Sequence, residues 1–306
     1  MLSTAPRSIH EPGRASAFIL WFDEVGIDDI PLVGGKNASL GEMIGQLVPK
    51  GVNVPNGFAT TAPAYRYFIA QAGLEPKLHQ IFADLDVDNL QNLRQRGQQA
   101  RSLMLNTPFP QELELAIATA YTKLCALYGG DGVNCDTLAP IHPDLVEDCL
   151  HNTDVAVRSS ATAEDLPDAS FAGQQETYLN VHGVKQVLEA CHKCFASIFT
   201  DRAISYRTAR GFDHLNVYLS VGVQKMVRSD LAASGVMFSI DPETGFRNAA
   251  SICAAYGLGE NVVQGAVNPD EFLVFKPTLT DGFRPILQKR LGSKAIKMVY
   301  DLGGSK

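Results

Sequence analysis

Between residues 184 and 224 the hydrophobic pattern changes its period, and that change constrains the fold more than any other feature of the chain. Val184, Val187, Leu188, Cys191, Phe195, Ile198 and Phe199 recur at helical spacing, which predicts one amphipathic helix running on towards Thr208. From Val217 the spacing is two. Val217, Leu219, Val221 and Val223 alternate with Tyr218, Ser220, Gly222 and Gln224, as a strand requires. Strand-like runs follow at 235–240, 250–255, 271–275, 285–291 and 296–300, separated by turn residues such as Asp-Pro-Glu-Thr-Gly. Ahead of the switch the pattern is mixed. A strand is expected over 18–22 and a helix over 38–47, after a break at Gly34-Gly35. Thr61 is the expected N-cap of a helix over 63–71, and helical patterns lie near 89–105 and 110–127. This is an α+β plan, with a boundary near 211–216. The 306 residues suffice for one large or two ordinary domains. The expected division is a disordered tail over 1–16, then 17–214, then 215–306. Residues 128–152, rich in Gly, Pro and acids, read as a surface insertion with a short helix at 143–150.

Composition excludes several classes. Hydrophobic residues make up 45% of the chain and charged residues 19%, which is globular. No apolar run reaches the length of a membrane span. The N-terminus shows no basic start followed by an apolar stretch, so a cytoplasmic location with reduced thiols is expected. The net charge of −7 argues against non-specific nucleic-acid binding. It leaves room for a small anion held by a few local cations. Cys191 and Cys194 are spaced as CxxC, but inside a helical pattern and without a second such pair. Packing is expected there rather than a metal. His182, His192 and His214 read as surface or packing residues, and no Ser–His–Asp arrangement is legible.

The segment 155–181 carries the clearest chemistry. It reads as strand, polar loop, strand, with Arg158 at the end of the first strand and Ser159-Ser160-Ala161-Thr162 following it in the loop. An arginine there can present its planar fork to phosphate oxygens, or pair with Glu164 or Asp165. Gly173 permits close backbone approach to a ligand, or simply enters a strand. Thr177 could face the same site. Gly34-Gly35-Lys36-Asn37 leads into a helix with a lysine at its start, an arrangement that favours anions. It lacks P-loop spacing, and a tight turn with a solvated lysine explains it equally. Gln224 is polar at the end of an apolar strand, with Lys225 on the opposite face. It could read an adenine edge or a phosphate, or satisfy a backbone group. Glu260, Asp270 and Glu271 offer oxygen ligands for Mg²⁺, and Glu260 could equally cap a helix.

Six segments in order resemble the N-terminal nucleotide-binding domain of the phosphoenolpyruvate synthase family: VGGKNASLGEM (33–43), GVNVPNGFATTAPAY (51–65), AVRSSATAEDLPDASFAGQQETYLNV (156–181), FASIFTDRAISYR (195–207), GVQKMVRSDLAASGVMFSIDPETGF (222–246) and GLGENVVQGAVNPDEF (257–272). Related domains occur in pyruvate phosphate dikinase and rifampin phosphotransferase. The resemblance implies an ATP-grasp-like fold whose two lobes close on ATP, with Mg²⁺. It implies that Lys36 and Arg158 bind ATP phosphates, that Gly173 and Thr177 line the phosphate site, and that Gln224 and Glu260 belong to the nucleotide site. In complete enzymes the phosphoryl group passes to a histidine on a swivelling domain, then to pyruvate in a barrel domain, giving AMP, phosphoenolpyruvate and phosphate. Neither domain is expected in this chain, and Cys191-His192 matches the glycine-rich histidine segment only superficially. No catalytic residue is therefore expected here, and the metal ligands are not identified. The family's DIE segment is missing as well. Gln288-Lys289-Arg290 fits Gln-x-Arg, but Leu291 follows in place of Pro. The second lobe is accordingly expected to be unfinished, the chain inactive alone, and its apolar surface partly uncovered. A homodimer is among the assemblies the resemblance allows.

Overall fold

The structure is a computed structural model describing residues 13–128, 153–162, 165–166, 169–170, 176–279, 281–301 and 304–305. The chain divides into two units, Met1–Met226 and Val227–Lys306. The first contains β1 (Ile19–Trp21), α1 (Ile30–Leu47), β2 (Gly57–Thr60), α2 (Ala62–Gln71), α3 (Glu75–Phe82), α4 (Leu90–Leu105), α5 (Gln111–Tyr128) and β3 (Val155–Ala161). The two-residue strands β4 (Asp165–Leu166) and β5 (Ala169–Ser170) follow, then β6 (Thr177–Val181), α6 (Val184–Ser197), α7 (Asp201–Ala209) and β7 (Leu219–Lys225).

Strands β1, β2, β7, β3 and β6 form one antiparallel sheet in that order. Register fixes its two faces, because residues paired across strands point the same way. Phe58, Val223 and Val157 stand in line and join the larger core with α2, α4, α5 and α6. Leu20, Ala59, Gly222 and Arg158 stand in line on the other face, where α1 packs through Val33 and Ala38. Burying a side chain such as Phe58 or Val223 is worth about 1.5–3 kcal/mol, so each face holds its helices by apolar burial. Tyr121 of α5 ties the larger core together. Its hydroxyl donates to Thr153 O at 3.0 Å and accepts from Gly183 N–H at 2.8 Å, linking the approaches to β3 and α6.

Local signals explain several helix starts. Thr61 caps α2 by accepting from Ala64 N–H at 3.2 Å, as expected from the sequence. Asn89 caps α4 by accepting from Gln91 and Asn92. The long helix expected from 184 towards 208 is two helices. Thr200 is extended (φ −67°, ψ 150°), and Asp201 opens α7 with an acid in its first turn. Arg101 holds the break, donating to Phe199 O at 2.6 Å and pairing with Asp201 at 3.1 Å. Cys191 and Cys194 are fully buried in the core on α6. Burial pushes the Cys191 thiol up to about 12, so the pair packs, as its helical spacing suggests. His192 packs edge-on to Phe68 and against Phe109. Helix α3 had no expectation attached to it, and the insertion over 129–152 lies outside the described residues.

The second unit holds β8 (Ala233–Phe238), β9 (Ala249–Tyr256), α8 (Glu260–Val263), β10 (Asp270–Phe275), β11 (Ile286–Arg290) and the short pair β12 (Tyr300–Asp301) and β13 (Gly304–Ser305). Four strands make an antiparallel meander, β11-β10-β9-β8. Met237, Phe238, Ile286, Leu287 and Leu291 are exposed. The run over 296–300 is not a full strand: Met298 makes one isolated bridge with Gly257, and only Tyr300 enters β12. The expected division at 214/215 also moves. Strand β7 is hydrogen-bonded between β2 and β3 along its length, so it belongs to the first unit and the division falls after Met226. No helix among the described residues is long and apolar enough to cross a membrane.

One buried pair makes the fold sensitive to acid. Arg207 is fully buried and donates through Nε to His214 Nδ1 at 3.3 Å. That bond requires Nδ1 without a proton. Burial first, then the Arg207 charge, depress His214 to about 4, against an opposing pull from Asp213. The unfolded chain, near the ordinary value of 6.5, binds the proton more readily than the folded one. Stability contributed by neutral His214 is present above about 6.5 and is lost as pH falls towards 4. The urea midpoint should therefore drop between pH 7 and pH 5, and His214→Gln should flatten that dependence. An unchanged slope in the variant refutes this assignment.

Candidate functional site

The candidate cradle lies on the α1 face of the first sheet. Arg158 pairs with Thr177 on β6 and with Gly222 on β7, so the three point to one side. Ser160, Ser220 and Gln224, each two residues from a member of that row, share the face. Helix α1 reaches the same row. A Cβ on Gly222 would meet Asn37 Oδ1 at 2.2 Å, and one on Gly34 would meet Ser160 Oγ at 2.3 Å.

Arg158 is the centre of the arrangement, and it stands in the middle of β3 rather than at its end, because pairing with β7 carries the strand on to Ala161. It is half-buried, and its Nη2 donates to Gln224 Oε1. Gln224 is itself buried, and its Nε2 donates to Pro55 O at 3.0 Å. A backbone carbonyl thus fixes the carboxamide, and the carboxamide fixes the guanidinium. Among the residues whose side chains are described no carboxylate pairs with Arg158, and burial pulls its pKa down; Glu164 and the Asp165 side chain lie outside them. A partly desolvated cation held by a neutral amide retains unmet electrostatic demand. The geometry gives Gln224 the task of orienting Arg158, which sequence reasoning did not foresee.

Lys36 follows a kink. Gly34 sits at φ 74°, ψ 163° inside α1, where its neighbour Ser160 leaves no space for a side chain. The helix restarts at Gly35-Lys36, with Lys36 exposed. The Lys36 charge is felt at Cys194, where the Glu176 charge also acts. Helix α1, which carries the lysine, lies against β3 and β7. Glu176 is held by a two-way contact, Ser159 N–H to Glu176 O at 3.2 Å and Glu176 N–H to Ser159 Oγ at 3.2 Å.

The other expected residues divide. Thr177 is exposed at the start of β6, opposite Arg158. Gly173 lies outside the described residues. Glu260 opens α8 in the second unit and accepts from Gln264 Nε2 at 2.8 Å. Asp270 is paired with Lys294 and also accepts from Gly292 N–H at 2.9 Å. Glu271 faces Arg290 at 3.7 Å. No group of three or more His, Cys, Asp or Glu side chains converges on a metal position among the described residues. Sequence reasoning missed Asn37 and Ser220, whereas Ser160 is one of the hydroxyls beside Arg158 that it had in view. The only signal for the two missed residues was the glycine pair beside Asn37 and the polar positions of the β7 alternation.

Comparison with known proteins gives the chain a family. Residues 30–306 match the family described as pyruvate phosphate dikinase, AMP/ATP-binding domain. The chain is 67% identical over 306 residues to a phosphoenolpyruvate synthase of Synechocystis sp., covering 100% of this chain and 36% of the relative. A phosphoenolpyruvate synthase of Aquifex aeolicus is 53% identical over 293 residues, covering 96% and 32%. One of Escherichia coli is 52% identical over 286 residues, covering 94% and 33%. The chain thus spans about a third of the length of the curated relatives it matches.

The kink makes two glycines of one helix respond oppositely. Gly34→Ala should cost on the order of 2–4 kcal/mol, from a backbone that alanine rarely adopts and a clash with Ser160. Gly45 is exposed in the same helix, with nothing within 4 Å of a built Cβ. Gly45→Ala should add about 0.5–1 kcal/mol through helix propensity. Chemical denaturation of both variants checks this, and changes of the same sign would refute the kink.

Proposed function

The chain belongs to the pyruvate phosphate dikinase AMP/ATP-binding domain family, and from that premise we propose that it is the ATP-binding part of a phosphoenolpyruvate synthase. The observation that carries this reading is Arg158: a half-buried guanidinium held in place by a neutral glutamine, with no acid paired to it among the residues whose side chains are described. A polyphosphate is the ligand that such a group suits, because its oxygens match the planar fork and bring the missing charge. Lys36 adds a point charge at the restarted helix, where free N–H groups also favour an anion. In this reading Thr177 and Gly173 line the phosphates, Gln224 holds Arg158 beside the nucleotide, and Glu260 belongs to the nucleotide site.

Phosphoryl transfer asks a protein mainly for positioning and for neutralisation of spreading charge. The residues of this chain would do that part. The complete enzyme would convert ATP, pyruvate and water into AMP, phosphoenolpyruvate and phosphate through a phosphohistidine outside this chain. We read the two units as ATP-grasp-like lobes, and the protein as cytoplasmic. Magnesium would arrive as the nucleotide complex. The acids of the described residues do not assemble a site for it, since Asp270 is engaged by Lys294 and Glu271 by Arg290. No step is assigned to the metal through them.

Calorimetry with Mg·ATP on the folded chain tests the reading. Arg158→Ala should weaken binding by at least about tenfold, the cost of losing a charge-assisted contact of about 1.5–3 kcal/mol. Lys225→Ala removes an equal charge from the opposite face of β7 and should leave affinity within about twofold. No binding by the unaltered chain would reject the function, and equal losses in the two variants would reject the cradle.

A further inference from the structure

We infer that Asn37 is a positioning residue for the phosphate cradle, acting by holding the Gly34 kink in the one shape that directs Lys36 and the restarted helix. The inference rests on the cradle reading and names a residue that reading leaves out. Gly34 is outside helical φ/ψ, so the regular helical path is bent beside the Val33 carbonyl. The Asn37 side chain spans that bend, its Nδ2 donating to Val33 O at 3.0 Å.

The same Nδ2 donates to Ser220 Oγ at 2.9 Å, and Ser220 Oγ donates on to Thr60 O. Thr60 Oγ1 accepts from Val221 N–H at 3.0 Å. The kink is thereby anchored to the two central strands β2 and β7. Asn37 is 2% exposed and Ser220 is fully buried, so water does not compete for these bonds. The carboxamide lies against Gly222, directly paired with Arg158. One side chain therefore sets the position of the lysine-bearing turn relative to the arginine-bearing strand. Asn37 has no exposed atom to offer a ligand, so its part is played through Lys36 and the turn.

The two bonds of Nδ2 can be separated. Ser220→Ala removes the anchor to β7 but leaves Asn37 on Val33 O. Asn37→Ala removes the bond that shapes the kink. Inorganic tripolyphosphate is the probe, titrated into the 306-residue chain by calorimetry well below the melting temperature of each variant. Both variants should melt earlier. Asn37→Ala should bind tripolyphosphate at least tenfold more weakly and Ser220→Ala should show a smaller loss, while Tyr121→Phe, which removes a buried hydroxyl from the larger core, should stay within about threefold of the unaltered chain. Asn37→Ser, a milder change that keeps a short donor, carries the test where the alanine variant does not fold, with an expected intermediate loss.

The outcomes are distinct. If Arg158→Ala loses tripolyphosphate but folded Asn37 variants bind like the unaltered chain, the positioning inference falls and the cradle stands. If Asn37→Ala and Tyr121→Phe lose affinity in proportion to their melting temperatures, Asn37 is structural only and the inference also falls. If the unaltered chain does not bind tripolyphosphate, the cradle reading falls and takes this inference with it.

Discussion

The close seating of α1 on the first sheet is the contact on which the rest of the first unit depends. Two glycines permit it, one on each partner. Gly34 lets the helix bend against Ser160, and Gly222 leaves the strand bare beneath Asn37. A methyl group at either position would meet atoms closer than about 2.5 Å, which a packed interior can relieve only by moving backbone. Standing the helix off would open the cluster of Leu20, Phe22, Val33, Ala38 and Ala59. It would also draw the Lys36 turn away from the row that carries Arg158. Packing and site are thus one constraint here: the approach that buries the apolar residues also seats the Gly34–Asn37 turn on the strands that carry Ser160, Gly222 and Arg158.

Three arginines of the first unit show why only one invites a ligand. Arg14 is buried but paired with Asp29 at 2.8 Å. Arg207 is fully enclosed, and its terminal nitrogens have no hydrogen-bond partner. It faces the Phe199 ring at 5.9 Å, and burial lowers its pKa to about 10. It therefore stays charged at neutral pH, and the fold bears a desolvation cost of several kcal/mol, offset in part by the ring. Enclosure bars any anion from reaching it. Arg158 has the same electrostatic deficit with an open side. Access separates a strained structural cation from a binding group, and neither charge nor motif alone does so.

Much of the fold was legible because long periodic segments report their own type. The helices over 62–71, 90–105 and 111–128 and the strands β7 to β11 follow hydrophobic spacing and caps that lie within the segment. What was not legible depends on partners distant in sequence. The break between α6 and α7 is fixed by Arg101, about a hundred positions upstream. The membership of β7 in the first sheet is set by hydrogen bonds to β2 and β3, and alternation cannot say which neighbours a strand will take. In the site, Arg158 was legible because an arginine among small hydroxyl residues is chemically unusual. Asn37 was not. One polar residue in a helix carries no periodic signal, and its task arises only from the kink at Gly34 that its side chain spans.

The acids of the second unit show the same limit from the other side. Asp270 and Glu271 read equally well as oxygen ligands or as structural acids, since both tasks need a carboxylate. Lys294 decides the matter for Asp270. It lies 24 positions away, sits at φ 44° in the left-handed region that lysine rarely adopts, and donates to that carboxylate. Its backbone N–H bonds Asn268 O at 3.1 Å, and Gly292 N–H takes the same Asp270 oxygen. The Lys294 hydrogen bond, then that of Gly292, holds the Asp270 carboxyl below the usual range. One oxygen of Asp270 is committed to two donors, and without it the turn over 292–294 would lose what keeps its lysine in an unfavourable backbone state. Asp270 is therefore a latch between two turns.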